Sequence, residues 1–432
     1  MFVSDCLNVN EAGHLTIGGA DTVELANRFG TPLYVFDEAT IRKAMREYNE
    51  SIKKFYGGKG LVAYASKAFS CKEIYRIAKS EGCGIDTVSR GELYTALAAG
   101  FPAENIIYHG NNKTVEELVY AIENNVGRIV VDNLTELERV SEIAASQNKV
   151  VKILIRIKPG IDAHTHSFVQ TGQIDSKFGF ALETGEAFEA VEYILKHKSV
   201  LLSGIHCHIG SQIFEIGPFE LAAKVMLGFM AEVKEKTGLV LTELNLGGGF
   251  GIKYTPDNDP VPYMDYMERV SKVVHAVCEE KGLDTPFIII EPGRSVVGPA
   301  GITLYTVGGV KNIPNIRTYV SVDGGMTDNP RYILYQSEYE ILVANRANAP
   351  KDAVITLAGR CCETGDLVGE NMSVQSPKVG DIIAVLATGA YNYSMASNYN
   401  RVPRAAVVMV NDGEAREIIR RESLEDIIRN DI

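Results

Sequence analysis

The chain has 432 residues, 46% hydrophobic and 23% charged, with a formal charge of -12, so its length exceeds what one hydrophobic core usually supports and two domains are expected. Excess negative charge without a basic tract excludes nucleic acid as a partner, and no window approaches the ~20 apolar residues of a membrane span. The opening Met1-Phe2-Val3-Ser4-Asp5-Cys6 lacks the basic-then-apolar pattern of a secretory signal, and the seven cysteines are odd in number and without metal-type spacing, so a cytoplasmic location with reduced thiols is expected.

In chain order, the segment around His14-Leu15-Thr16-Ile17 reads as extended and is expected to complete a sheet formed later. From Leu61 to Glu291, short apolar β-branched runs alternate with segments of helical period, the pattern of βα units around a parallel sheet. The runs are 61–64, 84–86, 106–108, 129–131, 151–157, 201–205, 244–246 and 287–290. Helices are expected between them over 72–81, 115–123, 134–147, 186–195, 219–237 and 263–281. Eight such units predict a closed (β/α)8 TIM barrel.

The residues at the ends of the runs carry the chemistry. They are Lys67, Asp86, His109 with Asn111, Asp132 with Asn133, Arg156, His206 with His208, Gly247-Gly248-Gly249, and Glu291 with Arg294. Catalytic groups of such barrels gather where strands end, and a phosphate commonly sits between the last two loops. Those loops here hold three glycines, which let backbone N–H groups approach an anion, and an arginine. Glu291-Pro292-Gly293-Arg294 ends the run Phe287 to Ile290 with an acid and a fixed cation three residues apart. Arg294 can grip a phosphate or carboxylate, and Glu291 can keep a pyridine nitrogen protonated so that the ring accepts electrons. A surface ion pair closing a turn is the plainer reading of those four residues alone. Lys67 follows the first run among small and apolar neighbours, a setting that suits an imine with an aldehyde.

His206-Cys207-His208 allows a competing metal reading, because alternate residues of a strand share a face. A metal hydrolase would need further histidines and an aspartate at other strand ends, whereas His164 and His166 lie in a polar loop, so no metal is expected. An imidazole there can instead stack on a planar cofactor, and Ser211 can donate to its phosphate.

After Gly301 the pattern changes to strands without helices, over 302–307, 318–322, 353–357, 382–386 and 405–410, which predicts a β-barrel or sandwich. The closing stretch Glu414 to Arg429 reads as an amphipathic surface helix. The expected division is 1–30 as an N-terminal segment completing the β domain, 31–300 as the barrel, and 301–432 as the β domain. Cys361-Cys362-Glu363 is expected to follow a strand so that alternation sends only one thiol into a cleft, a buried inert thiol being the alternative. The run Gly389 to Asn400, rich in hydroxyls and amides, suits a loop facing a site.

Together these motifs resemble the diaminopimelate decarboxylase family, pyridoxal phosphate enzymes of the alanine racemase and ornithine decarboxylase fold type. The resemblance spans nearly the whole chain: Tyr64 to Lys67, Asp86 to Glu92, Gly110 to Lys113, Pro159 to Gly179, His206 to Gln212, Gly247 to Gly249, Glu291 to Ser295, Arg331 with Tyr335, Cys362 to Asp366, and Gly389 to Asn400. It implies decarboxylation of meso-2,6-diaminopimelate to L-lysine and CO2, the last step of lysine biosynthesis, through an aldimine and a quinonoid on pyridoxal 5'-phosphate. By the same resemblance Lys67 holds the cofactor as an imine, Glu291 pairs with the pyridine nitrogen, and His208 stacks on the ring. Asp86, Arg156, Ser211, Gly248, Gly249, Gly293, Arg294 and Tyr391 complete the cofactor site. Arg294, Arg331, Tyr335, Glu363 and Tyr391 bind substrate. Cys362 is the proton donor and crosses from a partner subunit, so a homodimer with shared active sites is implied.

The distal end of diaminopimelate bears an ammonium and a carboxylate, which calls for Glu363 and Arg331 together; ornithine lacks the second carboxylate. The alternatives are a pyridoxal phosphate decarboxylase of another basic amino acid (ornithine, arginine or carboxynorspermidine), a fold-related racemase, a metal hydrolase, or a non-catalytic binding homologue. Arg360 and Tyr332 depart from the family pattern, and the polar loop Asp162 to Asp175 is expected to act as a mobile flap.

Overall fold

The computed structural model of the protein describes residues 2–161 and 175–432. The expected flap, save its last residue, and His164 with His166 therefore lie outside the described residues. The chain forms two compact units, one of Ala44–Gly251 and Pro260–Gly293, the other of Met1–Lys43, Ile252–Asp259 and Arg294–Ile432.

The first unit is the barrel. Its strands are β1 (Gly60–Ala65), β2 (Gly84–Thr87), β3 (Ile106–Tyr108), β4 (Arg128–Val131), β5 (Val151–Lys158), β6 (Val200–His206), β7 (Glu243–Asn245) and β8 (Phe287–Ile290). Each pairs in parallel with the next, β8 pairs with β1, and β4 pairs with β5, so the sheet closes. The short strand Phe180–Ala181 adds to the sheet beside Ile157 and Lys158, at the C-terminal end of β5. Ala63, Ile107, Val130, Leu154 and Ile289 fill the interior from alternating positions of five strands.

Local signals place the helices between strands. Ser89 caps Arg90–Ala98, Asn133 caps Leu134–Ser146, and Thr114 with Glu117 forms a capping box on Val115–Glu123. Gly238 and Gly282, both left-handed, end the long helices Gly217–Thr237 and Tyr263–Lys281. At the N-terminal mouth of the barrel, charges satisfy one another. The Arg128 guanidinium donates twice to the Glu243 carboxylate at 2.8 Å, and Lys152 and Ser203 donate to the same group at 3.3 and 3.1 Å.

The second unit is β-rich. Strand Gly301–Ile313 is its hub, pairing with Leu33–Asp37 and Ile382–Val385 over its first half and with Arg317–Val322 over its second. The sheet extends through Ala353–Ala358 to Leu367–Val374 on one side and through Ala406–Asn411 to Glu414–Ile419 on the other.

Two expectations fail here. Leu15–Ile17 does not join this sheet; it lies in a small one with Leu7–Val9 and Ala20–Asp21, and the N-terminal strand that enters the large sheet is Leu33–Asp37. The stretch 414–429 is a strand followed by the short helix Leu424–Ile428. Asp412 and Gly413 both adopt positive φ, at 49° and 81°, and so turn the chain into a hairpin.

Candidate active site

The C-terminal mouth of the barrel collects the residues expected there. Ser66–Ala68 forms one 3-10 turn past β1 and presents Lys67 as an exposed side chain between the buried Ser66 and Ala68. The Ser66 hydroxyl donates to the Asp86 carbonyl, which ties this turn to the end of β2. Asp86 itself is buried, and burial pushes its carboxyl up to about 6 against the opposing influence of His109 and Lys67. Arg156 is buried with its guanidinium 4.2 Å from the Phe178 ring centroid.

Glu291, directly after β8, accepts three hydrogen bonds. Its Oε1 accepts from His109 Nε2 and Asn245 Nδ2, each at 2.7 Å, and its Oε2 accepts from His206 Nε2 at 3.2 Å. Burial would favour the acid, but His109 and His206 outweigh it and hold the carboxyl well below the usual range, so it is an anion. Burial drives His206 down to about 3 and His208 well below the ordinary imidazole value, so both rings are neutral. The Gly248 N–H points at His208 Nδ1, 3.3 Å away, which makes that nitrogen the acceptor.

A Cβ at Gly248 would stand 2.1 Å from the Glu291 carbonyl oxygen. Packing of the loops after β7 and β8 therefore demands glycine there before any ligand is considered. The signal read from sequence as a phosphate cradle has this second cause.

The metal reading takes a different form from the one expected. His206 and His208 make separate bonds, and among the described residues the donors that gather within 4.8 Å of one another are His109, His206 and Glu291. Glu291 accepts a hydrogen bond from each histidine, and the two rings meet edge to face.

In the β-rich unit, Arg294, Arg331, Tyr335 and Tyr391 come together. The Arg294 guanidinium lies 4.7 Å from the Tyr391 ring centroid and donates to the Tyr254 hydroxyl, while that of Arg331 lies 5.5 Å from Tyr391 and 5.3 Å from Tyr335. Tyr391 has φ of 62°, a conformation costly for a bulky residue, and stands between the two cations. Cys362 and Glu363 are exposed on a turn whose backbone N–H groups reach Asn400 Oδ1 and the Cys361 carbonyl. This turn, and not strand alternation, separates the thiols: Cys361 is partly buried, and burial together with Asp366 pushes it up to about 11.

Tyr332, one of the two departures, donates to Glu370, which also pairs with Arg317, and so anchors the short helix Arg331–Tyr335. Nothing in the structure explains Arg360.

Sequence reading missed Asn245 as a site residue and left His109 and His206 without roles. It also gave none to Lys113, whose buried Nζ donates to Gly110 O and Val130 O at 2.8 Å and Glu136 Oε1 at 2.6 Å, fixing the turn that follows His109. The signal was the position of all four at or beside strand ends.

Polar atoms at this mouth remain unsatisfied, unlike those at the opposite end. Among the described residues, Asp86 Oδ1, Asp132 Oδ1 and His206 Nδ1 are buried without a hydrogen-bond partner. An ionised acid beside the neutral His206 imidazole, a lysine one turn from a strand end, and unpaired polar atoms together fit a small, charged, ring-bearing group.

These features define a pyridoxal phosphate-dependent decarboxylase, and residues 38–298 match the family described as pyridoxal-dependent decarboxylase, pyridoxal binding domain. Diaminopimelate decarboxylase of Bacillus subtilis is 48% identical over 432 residues, covering 100% of this chain and 98% of the relative, and that of Staphylococcus aureus is 45% identical over 98% of each. The crystal structure of diaminopimelate decarboxylase from M. jannaschii in complex with L-lysine superposes with a TM-score of 0.92 at 35% identity, covering 100% of this chain and 99% of that one. The chain belongs to the diaminopimelate decarboxylase family.

Proposed function

We propose that the barrel mouth binds pyridoxal phosphate and that the enzyme decarboxylates meso-diaminopimelate to L-lysine. The observation that carries this reading is the asymmetry of the barrel: buried charges are mutually satisfied at the N-terminal mouth and partly unspent at the C-terminal one. Catalytic groups of this fold lie at the latter.

Lys67 would hold the aldehyde carbon through its amine. Glu291 would keep the ring nitrogen protonated, and His208, neutral and oriented by Gly248, would lie against the ring. Asp86 and Arg156 would bear on the ring and its substituents, while Ser211, Gly248, Gly249, Gly293, Arg294 and Tyr391 would bind the phosphate and its surroundings. When bound, the cofactor would supply an electron sink for the pair left on the carbon as CO2 departs. Arg331, Tyr335, Arg294 and Tyr391 would grip the distal carboxylate and Glu363 the distal ammonium. The Cys362 thiol would deliver a proton to the carbon that lost carboxylate.

Cys362 acts, in this reading, from a second copy of the chain, so the working form is a homodimer. All seven cysteines are free, and among the described residues no helix is long and apolar enough to cross a membrane; both support a cytoplasmic location. The test is release of CO2 and lysine from meso-diaminopimelate by the purified enzyme. Comparable kcat/KM on ornithine would overturn the substrate assignment, because a site built around two distal charges rejects an analogue lacking one by roughly 10⁴-fold.

A further inference from the structure

Glu291 is held by more of the barrel than a ring contact alone requires. A carboxylate offers about four lone-pair positions. Asn245, His109 and His206 occupy three, and Oε2, which accepts from His206 alone, keeps one open. An anionic carboxylate only accepts, so both imidazoles must carry their hydrogen on Nε2. The two rings meet edge to face with centroids 4.8 Å apart, which restricts the rotation of each. Asp86 and Arg156 also interact with Glu291 through charge, but among the described residues its hydrogen bonds come from the two imidazoles and Asn245.

We infer that His109 and His206 are positioning residues for the reaction: they fix Glu291 as an anion in one orientation, with Oε2 as the acceptor left for the protonated ring nitrogen. The inference rests on reading Glu291 as the partner of that nitrogen, and it assigns work to the first histidine of the His-Cys-His segment and to the histidine that precedes Gly110.

The test compares pyridoxal phosphate with its 1-deaza analogue, in which C–H replaces the ring nitrogen, titrated by fluorescence into the full chain freed of cofactor. Wild type should prefer the natural cofactor by about tenfold or more, the worth of a hydrogen bond to a charged group. His109→Leu and His206→Leu should lose most of that preference, whereas His109→Gln and His206→Gln, which retain an amide donor, should keep it. If Glu291→Gln abolishes the preference while both Leu variants retain it, the positioning role is wrong and the Glu291 reading stands. If Glu291→Gln keeps the wild-type preference, that reading fails and the inference with it. Leu variants that weaken both cofactors by the same factor would reveal a merely structural role and overturn the inference.

Discussion

Arg331 and His206 show how one buried side chain translates into a measurable quantity. Arg331 is buried, lies against the rings of Tyr335 and Tyr391 and donates to Ser337 at 3.2 Å, yet among the described residues its Nε has no partner. Arg331→Gln should reduce kcat/KM for diaminopimelate about 10- to 100-fold, mainly through KM, as expected for loss of a charge-assisted bond of about 1.5–3 kcal/mol; steady-state kinetics checks it. His206 is neutral when folded because burial lowers it to about 3, whereas an unfolded histidine titrates near 6.5. Its stabilising contribution is therefore complete above pH ~6.5 and is lost progressively as pH falls toward 3, amounting to about 2 kcal/mol by pH 5. His206→Gln should flatten that limb of the stability curve in denaturant titrations across pH 4–7. Lys67, Glu291 and Arg294 were legible from sequence because each ends or follows an apolar run with chemistry unlike its neighbours. Asn245 was not, since an amide at a strand end announces nothing until the fold sets it 2.7 Å from Glu291.

The Cys362 turn depends on a carboxylate knot. Asp366 accepts from the Met326 and Cys361 N–H groups at 2.6 and 2.7 Å, and a Cβ at Gly359 would lie 2.2 and 2.3 Å from its two oxygens. Gly359→Ala should cost about 1–3 kcal/mol of stability by overpacking and lower kcat more than it raises KM, because the thiol and not the substrate grip is displaced. Thermal denaturation alongside kinetics decides this; an unchanged kcat would dissociate the knot from catalysis. The barrel strands were readable because closure buries both faces and leaves uninterrupted apolar runs. The β-rich unit was readable only in part. Leu367–Val374 buries Val368 and Gly369 in succession and carries Asn371 at a positive φ of 53°, which breaks its period, and the segment after Asn411 was read as helical because the Asp412-Gly413 turn was overlooked.

At the scale of the whole molecule, the lysine proposed to hold the cofactor and the thiol proposed as proton donor belong to different units of one chain, Lys67 to the barrel and Cys362 to the β-rich unit. A homodimer with shared sites predicts complementation. Lys67→Ala and Cys362→Ala proteins, each inactive alone, should recover about a quarter of wild-type activity when refolded together at equal amounts, since half of randomly paired dimers carry one intact site of two. Recovery of none would favour a site built within one chain. The measurement that bears most directly on the whole account is borohydride reduction of freshly purified enzyme followed by peptide mass mapping. The predicted result is a single phosphopyridoxyl group on Lys67, with loss of activity in proportion to its formation. Modification of a different lysine, or of none in active enzyme, would contradict the account.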